Sequence, residues 1–110
     1  MKVSPLLASA VALFAFSLPA AAVDADAALK LTKENGCTKC HAVDKDKKGP
    51  AYKKTAAKYK GKADGEAKVT DMLTKSPKVK MDDGSEEEHK AVSTKDVAQV
   101  KNLVQWILAQ

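Results

Sequence analysis

Residues 37–41 read Cys37-Thr38-Lys39-Cys40-His41. Two thiols three positions apart, on a turn or at a helix start, can each add through sulfur to one vinyl group of a haem. The histidine directly after the second thiol then lies under the iron. C-x-x-C-H is therefore a covalent attachment site for haem c. Other uses of these residues account for less of the chain. A tetrahedral zinc site needs four donors, and beyond Cys37, Cys40 and His41 there is only the distant His89, with no second paired-ligand knuckle. A thioredoxin-like thiol pair would follow a strand in an alternating strand and helix pattern, and no β-branched run is present to build that sheet. A plain Cys37–Cys40 disulfide would leave His41 without a role.

The compartment is read from the N-terminus. Met1-Lys2 leads into an apolar run from Leu6 to Leu18, followed by Pro19-Ala20-Ala21-Ala22. One positive charge, a short apolar stretch and small residues at its end predict a cleavable secretory signal over residues 1–22, cut after Ala22. The alternative is an uncleaved anchor, for which Leu6 to Val23 is marginal against the roughly 20 apolar residues of a spanning helix. Export agrees with the motif, because haem c is joined to unfolded, reduced apoprotein beyond the inner membrane. The expectation is a periplasmic protein whose residues 23–110 form one domain not inserted in a membrane.

Losing residues 1–22 removes both phenylalanines, Phe14 and Phe16, and leaves only Tyr52, Tyr59 and Trp106 as aromatics. Charged residues make up 30% of the chain. This is a thin supply for a core of such a length. A covalently held haem is a large, flat, apolar body that would complete the interior, as metals and disulfides do in other small domains.

The apolar periodicity predicts an all-α domain, about four helices around one covalent haem c. Ala25 to Asn35 carries Ala28, Leu29 and Leu31 and stops at Gly36. Pro50 to Lys60 opens on a first-turn proline and repeats Tyr52, Ala56 and Tyr59 at helical spacing. Glu66 to Lys75 places Val69, Met72 and Leu73 on one face. Ser93 or Thr94 is the expected cap of a last helix with the stripe Val97, Val100, Val104, Ile107 and Leu108.

These elements in this order resemble the small bacterial class I cytochromes c of the c-551 and c-552 type. The resemblance covers nearly all of residues 23–110: the short helix ending at Gly36, the stretch Cys37 to Ala42, Lys48-Gly49-Pro50-Ala51-Tyr52, Gly65-Glu66-Ala67, and Val104-Gln105-Trp106-Ile107-Leu108. It implies that His41 binds iron on one side and that the Pro50 carbonyl accepts a hydrogen bond from its other ring nitrogen. It also implies that the first and last helices cross near Gly36, with Trp106 beside them. The family's distal loop usually carries methionine followed by proline. Here Met81 lies in a suitable loop, Lys78 to Gly84, without that proline, and stands as the expected second iron ligand. His89, four residues before Ser93, is its rival. Thioether sulfur would raise the potential and a second imidazole would lower it.

The resemblance implies a soluble one-electron carrier, not an enzyme, with a six-coordinate iron closed to substrate. The alternative is a haem sensor with a weak or displaceable distal ligand, and a third possibility is a subunit of a larger complex. Peroxidase or oxygen chemistry would want a positioned base or cationic donor on an open distal side, and the chain has no arginine. Residues 27–80 hold fifteen lysines against six acids, whereas residues 81–110 hold three against six. Lys39, Lys45, Lys47, Lys48, Lys53 and Lys54 surround the attachment site in sequence, a field suited to transient encounter of a monomer with acidic-surfaced redox partners. The same lysines could serve solubility alone. Nucleic acid is a poor partner for a chain without arginine or interleaved aromatics. The run from Asp82 to Glu88 is expected as a solvated acidic loop.

Overall fold

Asp24 opens the first helix. In the computed structural model, which describes Ala12 and residues 22–110, its carboxylate accepts the Ala27 N–H at 3.0 Å and starts α1 (Ala25–Glu34). The expected leader thus lies, apart from Ala12 and Ala22, outside the described residues. Helix α1 ends at Asn35, and Gly36 comes next with φ +68°, a left-handed conformation strained for other residues. A single 3₁₀ turn, Cys37–Lys39, continues the chain. A side chain at position 36 would meet only the ends of Lys90 and Lys39, at 3.7 Å and beyond. Glycine therefore serves the turn here, not the helix crossing expected at this point.

Helix α4 (Val97–Leu108) is the element on which α1, α2 (Tyr52–Tyr59) and α3 (Gly65–Thr74) all pack. Val100, Leu103, Val104, Trp106 and Ile107 point inward, to meet Ala28 and Leu31 from α1, Tyr52 from α2, and Val69 and Leu73 from α3. Val97, counted in the predicted stripe, is 79% exposed, because the buried face starts one turn later. The cap is also displaced from its expected position. The Asp96 carboxylate accepts the Ala98 and Gln99 N–H groups, while Thr94 Oγ1 accepts the N–H of Asp96 itself. A carboxylate directly before the first helical residue reaches those donors better than a hydroxyl two or three positions earlier.

Two asparagines bind α1 and α4 together at both ends. Asn102 accepts the Asp24 N–H and donates to the Asp24 carbonyl, both at 2.9 Å. Buried Asn35 donates to the Leu31 carbonyl and accepts the Ser93 N–H at 2.8 Å, fixing the segment that enters α4. Each buried polar atom of Asn35 is thereby satisfied.

After α3 the chain turns at Ser76, whose φ of +48° is unusual for a residue with a side chain. The acidic run then departs from expectation. Glu86–Glu88 forms strand β2, antiparallel to β1 (Lys78–Lys80), with Lys78 opposite Glu88 and Lys80 opposite Glu86. The register sets residues of opposite charge across from one another on the ladder.

Candidate functional site

The 3₁₀ turn presents both cysteines as half-buried free thiols, and the His41 N–H donates to the Cys37 carbonyl at 2.9 Å. The loop after it is closed on itself. His41 forms an isolated antiparallel bridge with Asp46, and the Gly49 N–H donates to the Cys40 carbonyl at 2.7 Å. Helix α2 starts against the same loop: the Tyr52 and Lys53 N–H groups donate to the Ala42 and Val43 carbonyls, and the Ala51 N–H to Asp46 Oδ1 at 2.8 Å. Those are donors that the first turn of a helix leaves without intrahelical partners. Pro50 thus precedes α2 instead of opening it, and its carbonyl is turned to His41.

That carbonyl accepts a hydrogen bond from His41 Nδ1 at 2.7 Å. A carbonyl only accepts, so Nδ1 carries the proton and Nε2 keeps its lone pair in the neutral ring. Below the ring there is no room for a side chain: a Cβ on Gly49 would stand 2.5 Å from His41 Cε1. Tyr52 stacks on the imidazole with centroids 5.3 Å apart and planes 21° apart, and Trp106 meets Tyr52 edge-on at 5.4 Å. His41 is therefore held by a carbonyl, a bare backbone and an aromatic face, the last backed by the core. Gly49 and Tyr52, which lie in a stretch that carries the resemblance but were given no role at the site, belong to it, as does Asp46, which nothing local marks.

The two rival ligands lie at different places on the hairpin. Met81 begins its tip, with its N–H bonded to the Ser85 carbonyl and its own carbonyl to the Gly84 N–H, and lines a surface hollow with Lys48, Asp82, Asp83 and Glu87. His89 follows β2 at the base, and its ring centroid lies 6.0 Å from that of His41, with the planes tilted by 48°. Its Nδ1 is enclosed and makes no hydrogen bond. Burial pushes the His89 pKa down, the nearby Met72 carbonyl opposes this, and the closeness of His41 lowers it further. Burial likewise raises the Cys37 thiol and the Tyr52 phenol, the latter above the tyrosine range.

The lysines around the site are largely engaged. Lys48 pairs with Glu87 at 3.0 Å, Lys53 with Asp44, Lys54 with Asp46, and Lys47 donates to the Thr38 carbonyl. Among the described residues no three of His, Cys, Asp and Glu gather around one point. The donors present, two thiols on one turn and two imidazoles 6.0 Å apart by centroid, suit a metal that arrives with ligands of its own.

The family model for cytochrome c matches residues 25–110. The chain belongs to the cytochrome c family. The cytochrome is similar to the class 1 cytochrome MtoD of Sideroxydans lithotrophicus ES-1, at 56% identity over 80% of this chain and 97% of that one, with a TM-score of 0.76. It is also similar to cytochrome c552 of Nitrosomonas europaea, at 28% identity over 74% and 96% of the two chains, with a TM-score of 0.59. Cytochrome c-551 of Pseudomonas aeruginosa is 46% identical over 43 residues. That match spans 39% of this chain and 41% of the relative's length. The cytochrome is thus of the small bacterial class I type, its described residues forming helices and one short hairpin, and its cofactor is one covalent haem c, with Cys37 and Cys40 in the attachment motif.

Proposed function

We propose that this cytochrome is a soluble periplasmic carrier of single electrons between redox enzymes. One observation carries the reading: the 2.7 Å bond from His41 Nδ1 to the Pro50 carbonyl, which leaves Nε2 as the ring's free lone pair directly after the cysteine pair. Cys37 and Cys40 would hold the haem through thioether bonds and His41 Nε2 would bind the iron, with a side chain of the hairpin segment, Met81 or His89, as the second ligand. Haem iron with two strong axial ligands supplies reversible one-electron exchange and no vacant position for substrate.

The chain's own part is to keep its ligands still. The Pro50 carbonyl fixes the tautomer and plane of His41, Gly49 lets the loop close beneath the ring, and Tyr52 with Trp106 backs it. Little then rearranges between oxidation states. Residues 1–22 serve export, and the cytochrome acts as a monomer that meets acidic-surfaced partners transiently. The lysine excess over residues 27–80 supports this, although ion pairs to Asp44, Asp46 and Glu87 engage part of it within the molecule.

The test uses the full chain matured with haem. Covalent colour should survive denaturation and be lost in the double variant Cys37→Ala, Cys40→Ala. The wild type should titrate as a single one-electron couple and, when reduced, bind no carbon monoxide at neutral pH. Ready binding of carbon monoxide would replace the carrier by a ligand-binding sensor.

A further inference from the structure

The hairpin's register sets where His89 and Met81 lie relative to α3. Because Lys78 pairs with Glu88 and Lys80 with Glu86, the residue after β2 lies opposite Pro77, and the His89 N–H donates to the Pro77 carbonyl at 2.8 Å. Pro77 directly succeeds Ser76, where the chain leaves α3 in a left-handed turn. On the other side, the Val92 N–H donates to the Leu73 carbonyl at 2.9 Å. His89 is thus pinned on both sides to the end of α3. Met81 stands at the far end of the same ladder, bonded to Ser85. At about 3.4 Å per residue, that end lies on the order of 13 Å along the strand from the pair at Pro77 and His89.

The spacing of the two imidazoles suits one metal between them. Metal to imidazole bonds are about 2 Å long. Adding about 1 Å from each nitrogen to its ring centre puts opposed rings on one iron on the order of 6 Å apart by centroid. His41 and His89 are 6.0 Å apart by that measure. Ring pairs packed for burial also lie about 4.5–7 Å apart by centroid, so what sets this pair apart is a buried ring nitrogen without a partner. Here the enclosed Nδ1 of His89 makes no hydrogen bond, although the Met72 carbonyl lies near the ring. Glu86, Glu87 and Glu88 of the adjoining strand are all exposed, and Glu87 pairs with Lys48.

We propose that His89 is the second axial ligand of the haem iron, opposite His41, so that the cytochrome carries a pair of imidazoles where Met81 would have supplied a thioether. The proposal rests on the reading of His41 as an iron ligand. Its consequence is a lower reduction potential than a histidine and methionine pair would set in the same fold. Met81 is then a residue of the hairpin tip.

The experiment is the absorption and electron paramagnetic resonance spectrum of the oxidised, haem-loaded full chain, together with His89→Gly and Met81→Ala. The wild type should be low-spin and lack the weak long-wavelength band of thioether sulfur on ferric iron. His89→Gly should become high-spin, bind carbon monoxide once reduced, and return to low-spin on addition of imidazole, which also shows that the variant has kept its fold. Met81→Ala should leave the low-spin spectrum unchanged. The long-wavelength band in the wild type, with its loss in Met81→Ala, would overturn the proposal, as would a low-spin His89→Gly protein without imidazole. Absence of covalent haem from the denatured wild type would instead overturn the reading of Cys37, Cys40 and His41 on which this one stands.

Discussion

Gly49 lies so close beneath His41 that one added carbon would stand 2.5 Å from Cε1 of the ring and 2.9 Å from Nδ1. The contact is with a ring already bonded to the neighbouring Pro50 carbonyl, so neither partner can yield alone. Gly49→Ala should displace the imidazole, weaken its bond to Pro50 and destabilise the domain by about 1–3 kcal/mol, the usual range for overpacking. Spectroelectrochemistry should show a shifted reduction potential with covalent haem retained. A wild-type potential and unfolding midpoint would mean that the ring is not held this tightly.

Trp106 is the only tryptophan and backs Tyr52, which in turn backs His41. Trp106→Ala should reduce stability by about 3–5 kcal/mol. Trp106→Phe, which keeps an aromatic edge toward Tyr52, should lose less than half of that. Denaturant unfolding of the two variants separates the cases, and equal losses would argue against the edge contact as the relevant one.

Asp46 gives the fold a signature in acid. The Lys54 side chain first, and the Ala51 N–H second, hold its carboxyl below the ordinary value. A carboxyl depressed by folding contributes stability in full above its unfolded pKa of about 3.9 and loses it as the pH falls through the lower folded value. Asp46→Asn should therefore flatten the stability profile below about pH 4 while keeping an acceptor for Ala51. An unchanged acid limb would show that Asp46 titrates alike folded and unfolded.

Asn35 satisfies two backbone groups from inside the core, the Ser93 N–H and the Leu31 carbonyl. Asn35→Leu keeps the branched shape and leaves the Ser93 N–H without its acceptor, while the Leu31 carbonyl still accepts the Asn35 backbone N–H, so a loss of about 1–3 kcal/mol is expected. Amide hydrogen exchange at Ser93 should quicken in step with it. Loss of stability without faster exchange there would point to a packing effect instead.

Encounter with an acidic redox partner should slow by about tenfold or more as salt rises from millimolar to physiological strength, if the lysines outside the ion pairs steer the approach. Stopped-flow oxidation against a partner of known negative surface measures this. A rate that ignores salt would leave the lysine excess as a solubility surface.

The helices were readable because each is specified by residues close in the chain. Val100, Val104 and Ile107 recur at the helical period, Asp24 caps the helix that begins at Ala25, and Gly36 permits the left-handed exit from α1. Errors arose where a neighbour competed for the same task, as Asp96 did with Ser93 and Thr94. The hairpin was not readable. Lys78–Lys80 and Glu86–Glu88 have the composition of a solvated loop, and their complementarity exists only once the register sets Lys78 against Glu88.

By itself the sequence determined the chemistry that needs only adjacent residues: two thiols and an imidazole within five positions specify how a haem is joined, wherever the rest of the chain goes. It also determined that the domain is helical, because periodicity is a local property. Tertiary structure decided what surrounds that imidazole. Gly49 beneath it, Tyr52 against it and His89 across from it arrive by a loop closure, a helix docking and a strand register respectively. The reason is physical: what stands across from the imidazole is brought by chain reversal, and the geometry of a reversal is set by hydrogen bonds between residues remote in sequence, such as His89 to Pro77, which no local pattern announces.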